Sequence, residues 1–182
     1  MRPPSPTAAD LGELAEKYRA LAVLRAHRDG PQGQAGRATL QALAARHPGC
    51  LRELDTLGAP ELERRASVTE AAAAGAATEP WMAWIWAYHR LMRATLATKR
   101  ALGRGKLRAE AIPALAADAT LIAGLPLDEA FVRAVAAPPQ RRLGVAVLQL
   151  LGSLFGEPPA RIAATLFPRR RPPPYTLGED ES

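Results

Sequence analysis

WMAWIWAYHRLMRATLATKRAL, residues 81 to 102, is the stretch whose reading decides the fold. Glu79-Pro80 stands before it, Gly103 follows it, and no breaker lies between. Proline suits a first helical turn because its missing N–H would be unpaired there, and glycine suits the residue just past a helix end. At about 100° per residue, Trp81, Trp84, Ile85, Tyr88, Leu91, Met92, Thr95, Leu96 and Leu102 share one broad face. That face is expected to be the centre of a core, with Trp81, Trp84 and Tyr88 largely buried. The same wheel gathers Met82, Trp86, Arg90, Arg93, Ala97, Arg100 and Arg104 on the other side, which predicts an exposed basic stripe carrying one tryptophan.

The rest of the 182-residue chain points to the same class. Hydrophobic residues make up 48%, much of it alanine, while aromatic residues are only 5%, which favours helix over strand. The expectation is all-α: one domain of seven or eight helices over residues 10 to 167, packed around the helix near 80 to 102. Residues 1 to 9 read as a disordered lead-in, and 168 to 182, PRRRPPPYTLGEDES, as a disordered tail, basic and then acidic.

Working outward, Asp10 with Glu13 reads as a capping-box-like start to a helix reaching about Arg28. A second helix is expected over Arg37 to Arg46, and Cys50 to Leu57 suits a short helix or a 3₁₀-like turn. Glu61 to Ala74 follows, with Glu61 and Arg65 spaced as a helical ion pair. Leu107 to Ala123 reads as helix interrupted near Ile112 by Pro113. Further helices are expected over Asp128 to Ala136, over the apolar stretch from Leu143, and over Pro159 to Phe167.

A single cysteine, Cys50, excludes an intramolecular disulfide framework, the opening MRPPSPTAAD has no apolar run to serve as a signal-peptide core, and the apolar stretches are too short to span a membrane. A cytoplasmic location with no membrane association is the expectation, in a chain whose alanine, proline and arginine content looks bacterial. Net charge is +6, and the excess is local: Arg90, Arg93, Lys99, Arg100, Arg104, Lys106 and Arg108 occur with no acidic residue among them. This is the physical rationale for nucleic-acid or other polyanion binding through Trp86, Arg90, Arg93, Arg100 and Arg104, aided by Arg169, Arg170 and Arg171, against the plainer reading of a solvated helix face.

Leu151-Gly152, Phe155-Gly156 and Ile162 resemble the helix-turn-helix pattern, with Arg161, Ala164 and Thr165 as outward residues. Glu157 and Pro168 depart from that pattern, and a packed helical hairpin is the favoured reading. His47 and Cys50 have H-x-x-C spacing but no second ligand pair, so no metal and no cofactor are expected. The charges from Arg52 to Arg65 alternate with the helical turn, as on a solvated ion-paired surface. His89 is the best general-base candidate, in an aromatic pocket with Tyr88 if the chain is an enzyme, but it lacks a nucleophile or carboxylate partner nearby. Pro172-Pro173-Pro174-Tyr175 could serve as a docking peptide. The sequence therefore favours a non-catalytic interaction or accessory module with a protein partner or a second copy of itself.

Overall fold

The computed structural model describes residues 6–27, 34–103, 107–137 and 142–168. Thr7, not Asp10, opens the first helix, α1 (Ala8–Ala26), because its hydroxyl accepts the Asp10 N–H while the Asp10 carboxylate accepts the Thr7 N–H. That reciprocal pair is a capping box displaced three residues from the expected one. The expected disordered lead-in is thus shortened, and residues 1 to 5 lie outside the described residues.

The following helices are α2 (Gln34–Arg46), α3 (Cys50–Thr56), α4 (Ala59–Thr78) and α5 (Trp81–Leu102). A 3₁₀ turn at Ala109–Ala111 leads into α6 (Ile112–Ala123), followed by α7 (Glu129–Ala136), α8 (Leu143–Phe155) and α9 (Pro159–Leu166). The protein is all-α, with no strand among the described residues and nine α-helices there rather than the expected seven or eight, since Cys50–Thr56, which suited either a helix or a 3₁₀-like turn, forms α3. Pro113 does not interrupt α6; it lies in the first turn, where a missing N–H breaks no intrahelical bond. Past Pro168, the predicted tail lies outside the described residues, as do Arg169, Arg170, Arg171 and the Pro172–Tyr175 segment.

Two apolar clusters hold the helices together. In the first, Tyr18, Leu21 and Ala22 of α1 meet Cys50 and Leu54 of α3 and Leu62 and Ala66 of α4. α1 and α4 make the most extensive helix–helix contact in the molecule. The second and larger cluster surrounds α5, which touches α4, α6, α7, α8 and α9. Helix α5 is therefore an organising element, but α1 packs chiefly on α4 rather than on it.

The buried face of α5 is not the one the aromatic pattern predicts. Ala83, Trp86, Ala87, Arg90, Leu91, Ala94, Thr95 and Thr98 face inward, about a third of a turn away from the expected centre. Trp81 is 39% exposed and Leu96 is also exposed, while Trp84, Ile85, Tyr88 and Met92 are half-buried. The physical reason is the number of neighbours. A helix ringed by others needs small side chains where backbones approach, and Ala83, Ala87 and Ala94 supply that stripe. Trp84 instead meets Phe155 edge-on, with ring centroids 5.3 Å apart.

The consequence for stability is an inverted ranking of the tryptophans. Trp86→Ala should cost about 3–5 kcal/mol, as for other buried aromatics, while Trp81→Ala should cost clearly less; paired urea denaturation curves of the two variants check this. Equal losses would show that the inward face of α5 is wrongly assigned.

Candidate functional site

The predicted basic stripe does not survive as a surface. Trp86 is 6% and Arg90 5% exposed, so the two residues meant to begin it are in the interior. Arg93 and Arg100 are exposed, and Arg104 lies outside the described residues. His89 is exposed and stacks edge-on against Tyr88, which also meets Phe167. Of the residues just named, only Trp86 lines any of the cavities described below.

The helix-turn-helix-like segment does form two helices, bent by 117° at a three-residue break containing Gly156, whose φ is +71°. That angle lies within the ~90–120° range of such hairpins. Ile162 is buried, Arg161 reaches Glu157 at 3.3 Å, and the Thr165 hydroxyl donates to the Arg161 carbonyl. No single helix among the described residues is long and apolar enough to cross a membrane.

The charge-rich segment from Arg52 to Arg65 is only in part the solvated surface that its alternation suggests. Arg64 pairs with Glu61 at 2.7 Å, near the surface. Arg65, however, is buried: its Nε donates to Glu61 at 2.9 Å and its Nη1 to the Leu121 carbonyl at 2.7 Å. Glu53 is buried too, and accepts from Lys17 at 2.6 Å with side-chain exposures of 9% and 7%. Both reversals come from tertiary contact, since α1 and the end of α6 cover these side chains.

These buried ions border a cleft. Leu14 and Lys17 of α1, His47 and Glu53 of the α2–α3 region, and Leu121 and Leu125 near the end of α6 line a recess of about 500 Å³. A second recess, about 260 Å³, shares Leu14, His47, Gly124, Leu125 and Pro126 with it and continues inward to Trp86, Leu11 and Phe155. Gly124 makes the junction possible. It adopts φ +67°, and a β-carbon there would lie 2.3 Å from the Tyr18 hydroxyl.

The electrostatics of the cleft follow from burial. Desolvation pushes Lys17 below its ordinary pKa despite the opposing pull of Glu53. Desolvation, with the Glu53 charge adding to it, raises Tyr18 to about 12. His47 is lowered, first by burial and then by Lys17, and lies 3.8 Å from Glu13, which Arg46 holds at 2.7 Å. The H-x-x-C spacing has a structural role: the Cys50 N–H donates to the His47 carbonyl and closes the turn into α3.

A larger recess, about 780 Å³, lies between the α6–α7 turn and α8. Two of its polar side chains are committed, since the Thr120 hydroxyl bonds both the N–H and the carbonyl of Leu127 and Asp128 caps α7; Ser153 also lines it. The cleft under α1 differs in that ionisable groups converge on it from separate helices. Sequence reasoning missed it because Lys17, Glu53, His47 and Gly124 form no local motif. The one local signal was Gly124-Leu125-Pro126, read only as a turn. No protein-family model, no characterised protein and no solved structure matches the chain.

Proposed function

We propose that the chain is a non-catalytic binding module whose working surface is the cleft beneath α1. The observation that carries this reading is the cleft itself: an apolar concavity in which Lys17 of α1 is brought together with His47 and Glu53 of the α2–α3 region. Support for a binding rather than a catalytic role comes from the nucleophile side. Cys50, the only thiol, is buried at 1% exposure and its pKa is pushed up by that burial, the opposite of what an attacking thiolate needs. The polyanion reading retains Arg93 and Arg100 on the exposed face of α5, without the tryptophan that would have offered stacking.

The test is a screen of small aliphatic and aromatic fragments by amide-resonance shifts of the isotopically labelled chain. Hits should shift the amides of Leu14, Gly124 and Leu125. Shifts confined to other faces, or none with any fragment, would remove the cleft as the binding surface.

A further inference from the structure

The helices divide into two groups. α1, α2, α3 and α4 pack among themselves, chiefly through α1, while α6, α7, α8 and α9 pack around α5 and one another. Apart from α4 against α5, no helix of the first group makes more than a marginal backbone approach to a helix of the second among the described residues. The α4–α5 contact includes Gly75 against Met82, beside the Glu79-Pro80 turn that joins the groups, and Glu79 there is extended.

The seam between the groups is polar and incompletely satisfied. Near the surface, Arg52 of α3 pairs with Asp118 of α6, and Arg65 of α4 donates to the Leu121 carbonyl. Deeper in, Trp86 Nε1 and both terminal nitrogens of Arg90 are buried with no hydrogen-bond partner. Such groups are exceptional in a folded interior. Trp86 borders the smaller recess opposite Leu11 and Leu14 of α1, and the Arg90 guanidinium lies 5.5 Å from the Trp86 ring centroid. Across the seam, Arg65 and Arg64 of α4 oppose the Arg90 charge. Arginine does not escape burial by losing its proton, so the seam holds an unpaired charge that opening would return to water. Both recesses beneath α1 lie along the same seam, with Leu14 and His47 on one wall and Gly124 and Leu125 on the other.

We propose that α1–α4 and α5–α9 are two lobes hinged at Glu79-Pro80, and that the seam between them opens and closes while each lobe stays folded. Hinge motions are absorbed by a few residues at element ends, and these two residues are all that separates α4 from α5. Opening hydrates Trp86 Nε1 and Arg90 and widens the cleft beneath α1. The hinge stands on the seam alone and does not require the cleft to be a binding surface.

The test is native-state hydrogen exchange on the full chain, following the Trp86 indole N–H against the amides of Ala66 and Leu91, which are buried in separate lobes. The indole should be at least ~10-fold less protected than either amide, with a urea dependence smaller than theirs but above zero. A short bismaleimide joining Arg52→Cys to Asp118→Cys, in a Cys50→Ala background, ties the lobes together at their exposed pair and should bring the indole's protection up to that of the amides. Arg90→Met, which removes the unpaired charge, should raise it as well. Indole protection equal to that of the amides in the unlinked chain would overturn the hinge. So would exchange without urea dependence that neither the cross-link nor Arg90→Met slows, since that is water reaching Trp86 through the recess of a closed molecule.

Discussion

Lys17→Met lowers the stability of the folded chain by about 3–5 kcal/mol, seen as a lower urea midpoint at unchanged slope. The effect exceeds that of an ordinary ion pair because of where the pair sits. Lys17 and Glu53 meet at 2.6 Å with less than a tenth of either side chain exposed. Removing the ammonium leaves a carboxylate in the interior with its main partner gone, and that uncompensated charge, rather than the lost attraction, dominates the cost. The ammonium also lies 4.2 Å from the Tyr18 ring centroid, so a cation–π contact is lost as well. The double variant Lys17→Met/Glu53→Leu should recover most or all of the loss, because two apolar side chains of similar size incur no desolvation cost. A single-variant loss under ~1 kcal/mol would mean that the pair behaves as a solvated surface pair.

Gly124→Ala is the second large effect, a loss of about 2–5 kcal/mol made of two separable parts. The backbone part, about 1–2 kcal/mol, arises because φ at Gly124 is +67°, where a side chain crowds its own carbonyl. The packing part, about 1–3 kcal/mol, arises because the new methyl would lie 2.3 Å from the Tyr18 hydroxyl. Tyr18→Phe separates them: without the hydroxyl, the nearest ring carbon is 3.5 Å from that methyl, an ordinary contact. Gly124→Ala in a Tyr18→Phe background should therefore cost only the backbone part. Denaturation curves of the four-member cycle measure the coupling. Additive losses would show that Tyr18 does not press on Gly124.

The extent of most helices was legible to within a few residues because helix boundaries are written locally, although α2 begins three residues before Arg37 and α4 runs through Gly75 to Thr78. Pro80 and Gly103 bracket α5, Asp128 caps α7 by accepting the Phe131 N–H, and Pro168 follows α9, all within a few residues of what they control. The Glu61–Arg65 pair was legible for the same reason, being one helical turn apart. Where local signals competed, the reading slipped by a few residues: Thr7 outranked Asp10 as a cap, and Pro113 opened a helix instead of breaking one.

What α5 faces was not legible in this way. The large apolar residues of α5 suggested a core face, but a helix touched by five others is set by close backbone approach, and the small residues Ala83, Ala87 and Ala94 turned inward. That rotation carried Trp86 and Arg90 into the interior and dismantled the stripe they were expected to begin. The candidate site likewise required Lys17, His47, Glu53 and Gly124 to arrive from separate parts of the chain. Alanine content, caps and breakers determined an all-helical chain and where its helices run. Only the packing of α1 and α4 beside α5 and α6 decided which charges were buried, because burial is a property of neighbours distant in sequence, and no residue's own position along the chain encodes it.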